Sequence, residues 1–153
     1  MSDPPRYVVD ASVAVKWHLR DESHEDEARL VLIDYRGGAS QLMAPDHIRY
    51  EVPSAILGAV RRGRLPADVG ATAIRQFLSW GIQTVASGEL IQIGYSFSVR
   101  FRCSLYDGLY LALAELTGSR FIFADQRLRN NLADSFPLAV WIGDYPVFRS
   151  SIG

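Results

Sequence analysis

Asp10, Glu51, Asp107 and Asp125 are the residues of this 153-residue sequence whose types and placement suit chemistry. Asp10 ends the apolar run Tyr7-Val8-Val9, and Asp125 lies two residues beyond the run Phe121-Ile122-Phe123. Both runs read as buried strands, and in open α/β sheets ligands bind beyond the carboxyl ends of the strands. Glu51 falls on the helix expected after a second strand, and Asp107 falls in the first turn of a helix starting at Ser104. Such segments can bring four carboxylates to one sheet edge. No strand end offers a histidine, a cysteine or a glycine-rich loop instead. An all-oxygen set suits a hard divalent cation such as Mg²⁺ or Mn²⁺ and suits zinc poorly. A cation so held can activate water and position a phosphodiester for in-line attack. Each acid also has a plainer reading. Asp10 and Asp125 sit where helix N-caps sit, Asp107 is favoured at a helix start by the macrodipole, and Glu51 can be a solvated helix residue. Spacing alone leaves both readings open.

The elements that must position these acids alternate short apolar runs with longer helix-like segments, the pattern of β/α units around a parallel sheet. Strands are predicted at Tyr7–Val9, Gln41–Ala44, Ile82–Val85, Phe121–Phe123 and Leu138–Ile142. Helices are predicted over Ala11–His18, Asp26–Tyr35, Asp46–Arg62, Pro66 to about Trp80, Ser87 to about Phe101, Ser104–Leu116 and Asp125–Leu132. Gly37-Gly38 should stop the second helix, Asp46 should cap the third, and Pro53 should kink it by removing a backbone donor. The expectation is a single domain over residues 1–153: a three-layer α/β fold with a five-stranded parallel sheet flanked by about seven helices.

The composition, 48% hydrophobic and 22% charged, is that of a globular chain able to bury a core without disulfides. Cys103 is the only cysteine, so no internal disulfide can form, which suits a reducing compartment. No apolar run approaches the ~20 residues of a membrane span, and Met1 to Asp10 lacks the apolar stretch of a secretory signal. A cytoplasmic location is the expectation. The net charge of −1 does not advertise a nucleic-acid partner. Of the 16 basic residues, however, all but Lys16 are arginine, whose planar fork suits phosphate or carboxylate, although GC-rich coding favours arginine as well and is the better explanation of the count. Arg127 and Arg129 follow the last acid, Arg100 and Arg102 precede Asp107, and Arg61, Arg62 and Arg64 end the long helix. These are candidate phosphate contacts, set against the ordinary alternative of a solvated face.

Four segments together carry a family resemblance. They are Val8-Val9-Asp10-Ala11-Ser12-Val13-Ala14-Val15-Lys16-Trp17, Tyr50-Glu51-Val52, Tyr106-Asp107-Gly108-Leu109-Tyr110-Leu111-Ala112-Leu113-Ala114, and Ala124-Asp125-Gln126-Arg127-Leu128. In order and spacing the chain resembles the PIN-domain family, and in particular its VapC ribonuclease toxins. The resemblance implies a PIN-like fold and a metal-dependent endoribonuclease, the toxin of a toxin–antitoxin pair. Asp10, Glu51, Asp107 and Asp125 would then be the metal-binding acids, and Ser12 the active-site hydroxyl. Mg²⁺, or alternatively Mn²⁺, is the implied cofactor. RNA is the implied substrate, a cognate antitoxin the implied partner, and a homodimer or a larger toxin–antitoxin assembly the implied form. The sequence departs from the family at Phe123, where a threonine is common, and at Pro53-Ser54, where an asparagine is common.

Other residues invite chemistry less. His18, His24 and His47 share no metal-ligand spacing and read as surface or supporting residues. The run from Asp21 to Glu27 reads as an exposed loop and an acidic helix start. Trp17, Trp80 and Trp141 read as core or interface, and Cys103 as inert. A catalytically silent RNA- or protein-binding module of the same fold is the alternative, supported by Phe123. A phosphotransfer receiver would need an acidic pair after the first strand, where this chain has Asp10-Ala11. A dinucleotide site would need a Gly-x-Gly-x-x-Gly turn, which is missing there.

Overall fold

The computed structural model describes residues 2–152. Five strands, β1 (Arg6–Val9), β2 (Gln41–Pro45), β3 (Gln83–Val85), β4 (Phe121–Phe123) and β5 (Ala139–Trp141), form one parallel sheet in the order β3-β2-β1-β4-β5. Tyr7, Val8 and Val9 of β1 and all three residues of β4 are buried, because helices cover both faces of the sheet. The central register pairs Val8 with Phe121 and Val9 with Ile122, which sets the carboxyl ends of β1 and β4 side by side.

Eight α-helices lie among the described residues: α1 (Ala11–Ala14), α2 (Glu25–Arg36), α3 (Ile48–Arg61), α4 (Ala67–Ser79), α5 (Ile91–Phe101), α6 (Leu105–Thr117), α7 (Gln126–Leu132) and α8 (Tyr145–Ile152). The sequence reading of about seven omits α8. Pro146 at the second position of that helix was the available signal, since its fixed φ suits a first turn. What holds α8 is tertiary. The buried Asp34 of α2 accepts the Tyr145 hydroxyl at 2.7 Å and the Arg149 guanidinium at 2.8 and 2.6 Å. Hydrogen bonds from Arg149 hold the Asp34 carboxyl below its usual range, against the opposing effect of burial. No helix among the described residues is long and apolar enough to cross a membrane.

Some local expectations are corrected. The helix beginning at Ala11 tightens into a 3-10 turn over Val15–Trp17. Asp46 does not cap α3; its carboxylate accepts the hydroxyl of Ser87 instead, and that serine opens a 3-10 turn rather than a regular helix. As expected, Pro53 lies inside the long helix α3, which runs from Ile48 to Arg61.

Chain order fixes the geometry of the edge. β1, β2 and β3 step outward in one direction, then the chain returns to place β4 on the other side of β1. Such a reversal opens a crevice at the carboxyl ends of the two central strands. Helix α6 is apolar nearly all round, with every residue from Gly108 to Ala114 buried. It packs on α5 at backbone distance. A Cβ on Gly108 would stand 2.2 Å from the Gly94 carbonyl oxygen and 2.2 Å from Ser98 Oγ. Only glycine permits this approach, and it seats the first turn of α6 one residue from Asp107. Alanine ordinarily favours a helix by about 1 kcal/mol over glycine. At Gly108 the sign should reverse, since forcing atoms into a packed contact costs about 1–3 kcal/mol. Denaturant melts of Gly108→Ala should show a lower midpoint at unchanged slope. A midpoint raised by the substitution would contradict this packing.

Candidate active site

Asp10 leaves β1 in extended conformation and caps α1. Its Oδ2 accepts both the Ser12 backbone N–H, at 3.1 Å, and the Ser12 hydroxyl. Ser12 Oγ in turn accepts the Ala124 N–H at 2.9 Å, across 112 residues of sequence. One hydroxyl therefore ties the end of β1 to the end of β4. Asp125 follows at the N-cap of α7, where its Oδ1 accepts the Leu128 N–H at 2.9 Å. The capping reading of both aspartates is thus correct as far as it goes, and capping uses one oxygen of each. Phe123, at the family's threonine position, lies in the core, stacked on Phe121 at 5.2 Å and against Trp141 at 5.5 Å.

Glu51 and Asp107 come from the two long helices whose N-termini face the same edge. Helix α3 starts just after β2 ends, and α6 runs antiparallel into β4, so both present their positive dipole ends there. Ser104 caps α6 by accepting the Asp107 N–H at 3.0 Å. Glu51 is clamped on one oxygen. The Tyr110 hydroxyl donates to Oε1 at 2.9 Å, and His47 Nε2 stands 3.0 Å from the same atom without completing a hydrogen bond. His47 is itself buried, packed 4.9 Å from the Tyr110 ring and 5.2 Å from Tyr106. Tyr110 is the neighbour of Glu51 that sequence reasoning missed, and His47, read as a surface or supporting residue, takes the supporting place. The pairing of Tyr110 with Glu51 spans 59 residues, and nothing local signals it.

Electrostatics links all four acids. Burial pushes the Asp10 carboxyl up to about 8, the Ser12 hydroxyl opposes this, and Asp107 and Glu51 add to it. Asp107 is also raised, first by burial, then by Asp125 and Glu51, with hydrogen bonds from Ser104 opposing the rise. Among the described residues no three His, Cys, Asp or Glu side chains are already gathered as a metal cage. The carboxylates are close enough to repel but do not close on one point. That arrangement fits a hard divalent cation that keeps several of its waters, and the donors are all oxygen. A buried carboxylate short of positive charge, such as Asp10, is what such an ion would relieve.

The remaining sequence candidates lie elsewhere. His24 contacts Glu27 and Trp141, and Glu22 and Glu25 pair with Arg64 and Arg29. His18 stacks on Trp80 at 5.3 Å with Nε2 buried and unpartnered, and desolvation lowers its pKa to about 4. It borders a groove of about 530 Å³ between Trp17 and α4, away from the acids. Trp17 donates to the Ala28 carbonyl and packs on Trp80. Burial raises the Cys103 thiol to about 11, which keeps it protonated and unreactive.

These shifts set opposite pH dependences in metal-free protein. His18, lowered when folded, stabilises above its unfolded pKa near 6.5, and that stability is lost as pH falls toward 4. Asp10, raised when folded, favours the fold while protonated. Its contribution is therefore lost as pH rises from about 4 to about 8. Above pH 6.5 the Asp10 effect stands apart from that of His18. In EDTA, stability should fall by on the order of 2 kcal/mol between pH 6.5 and pH 8. Asp10→Asn, which keeps the capping acceptor, should flatten that slope. An unchanged slope in the variant would show that Asp10 does not carry the proton.

Comparison with known proteins bears on the family and the fold. Ribonuclease VapC3 of Pyrobaculum aerophilum is 26% identical over 137 residues, covering 88% of this chain and 98% of that protein. The crystal structure of PAE2754 from Pyrobaculum aerophilum superposes with a TM-score of 0.64 at 20% identity, covering 97% of this chain and 98% of the other. That likeness shows the shared fold. Residues 7–131, which hold all four acids, Ser12, Tyr110 and the central strands, match the PIN domain, and the chain belongs to the PIN-domain family.

Proposed function

We propose that this protein is a divalent-metal-dependent endoribonuclease, the toxin of a VapC-like toxin–antitoxin pair. The observation that carries the reading is the buried Asp10 carboxyl, coupled to Asp107 and Glu51 at the sheet's switch point, with Asp107 coupled onward to Asp125. Keeping four like charges together is costly unless a cation compensates them. Family membership and the likeness to Ribonuclease VapC3 support RNA as the substrate. A catalytically silent module would have no use for that costly arrangement.

Within this reading Asp10, Glu51, Asp107 and Asp125 hold Mg²⁺ or Mn²⁺. The ion would supply water activation and charge neutralisation at the phosphodiester. The chain's own residues do the positioning. The Ser12 hydroxyl donates a hydrogen bond to Asp10 and accepts one from the Ala124 N–H, so it fixes the orientation of Asp10 and the spacing of two strand ends. The Tyr110 hydroxyl holds Glu51 through Oε1, with His47 Nε2 beside the same atom, which leaves Oε2 available to the ion. A cognate antitoxin would answer the same charge. An arginine among the acids can pair bidentately with carboxylate and replace the cation. A homodimer is part of the proposed form.

Changing a residue that merely orients a metal ligand costs about 10–100-fold. Loss of a direct ligand should therefore cost more than ~100-fold. Purified protein free of antitoxin should cleave single-stranded or structured RNA with Mg²⁺ or Mn²⁺, and EDTA should abolish cleavage. Asp107→Asn should reduce the rate by more than ~100-fold while the circular dichroism spectrum stays native. Cleavage that survives both EDTA and Asp107→Asn would overturn the metal-dependent reading.

A further inference from the structure

The arginines flanking the acids, indistinguishable in the sequence, are separated by the fold. Arg100 lies over the Phe101 ring at 4.8 Å, and Arg129 lies over Trp141 at 4.5 Å. Arg64 pairs with Glu22 at 3.0 Å and donates to the Arg20 carbonyl. Two remain. Arg102 and Arg127 are exposed and form no ion pair among the described residues. Both line a polar cleft of about 410 Å³ whose wall also includes Asp107, Asp125 and Asn131. This volume lies in the range of small-ligand pockets.

The two cations are mounted on elements tied to each other. Arg102 ends α5 in left-handed conformation, φ 54°, an arrangement that costs a side-chain-bearing residue free energy. Its carbonyl accepts the Asn131 side-chain N–H at 3.1 Å. Asn131 belongs to α7, the helix that carries Arg127 in its first turn. The turn before Asp107 is thereby linked to the helix after Asp125. Both arginines project from backbone anchored beside the acids.

A polyanion approaching four carboxylates is repelled. The chain's net charge of −1 supplies no general attraction to offset this. Unpaired guanidiniums in a cleft that shares two walls with the acids supply it locally.

We propose that Arg102 and Arg127 form a phosphate-anchoring subsite for the RNA strand, holding a backbone phosphate next to the one that lies at Asp107 and Asp125. This rests on the nuclease reading and names residues that engage substrate without joining the acid centre. The subsite reads backbone charge and not base identity.

The test uses a fluorescein-labelled single-stranded oligoribonucleotide and the full chain with Mn²⁺. Binding is measured by anisotropy and cleavage by kcat and KM, each across a salt series. Arg102→Gln and Arg127→Gln, both at exposed positions, should each weaken binding roughly tenfold. The effect should appear in KM more than in kcat. Each should also lower the slope of log Kd against log salt by about 0.7–1. Arg6→Gln, at the opposite edge of the sheet, is the control and should change neither. A single uncharged methylphosphonate linkage, walked along the strand, should find one position that weakens wild-type binding. That same linkage should cost little in the Arg102→Gln/Arg127→Gln variant. Cleavage with arginine variants indistinguishable from wild type overturns the subsite and leaves the nuclease reading standing. Arginine-dependent binding without cleavage by wild type supports the subsite and overturns the nuclease reading. Wild type that neither binds nor cleaves overturns both.

Discussion

Repulsion among carboxylates gathered at one edge of a parallel sheet is the constraint around which this structure is arranged. Left to itself, that repulsion would push the side chains into solvent and apart. The fold holds them by giving each carboxylate a local tie that does not neutralise it. Asp10 and Asp125 are held by the N–H groups of their own helices, Glu51 by the Tyr110 hydroxyl, and Asp107 by hydrogen bonds from Ser104. The result is a proton-hungry centre. The folded state takes up a proton on Asp10 at a pH where an unfolded aspartate would be ionised. A cation that binds the folded edge competes with that proton and compensates the same charge.

The scaffold earns its rigidity from two features near the acids. The first is the Ser12 hydroxyl between Asp10 and the Ala124 N–H, which locks the ends of β1 and β4 at fixed separation. The second is the approach of α5 and α6 at Gly94 and Gly108, which brings the start of α6 down onto its neighbour beside Asp107. Both act on backbone positions and not on the carboxylates themselves. Far from the edge, Asp34 with Tyr145 and Arg149 fastens α8 to α2. That network steadies the layer without touching the site.

Much of this was legible in the sequence because it is local or periodic. The buried runs at Tyr7–Val9 and Phe121–Phe123 are strands, and Ser104 precedes a helix with an apolar stripe. Asp10 and Asp125 stand at caps. What stayed hidden depends on partners far apart in the chain. The bond from Tyr110 to Glu51, the burial of His47 against two tyrosines, and the anchoring of α8 through Asp34 have no local signature. Asp46 is instructive. Its type and position suit an N-cap, yet Ser87, 41 residues away, takes its carboxylate. The arginines show the same limit, since only packing distinguishes those lying over aromatic rings from those left free.

The central claim is that the acids form one cation site, and thermal melting tests it without reference to activity. Wild type and Asp107→Asn are each melted in EDTA and in excess Mn²⁺. A ligand that binds only the folded state raises Tm through mass action, by an amount set by its affinity. Wild type should show a clear rise with Mn²⁺. Asp107→Asn should melt in EDTA at the same temperature or higher, because one repelling charge is gone, and should show a much smaller rise. Equal Mn²⁺ shifts in the two proteins would contradict the account, because Asp107 would then take no part in holding the ion.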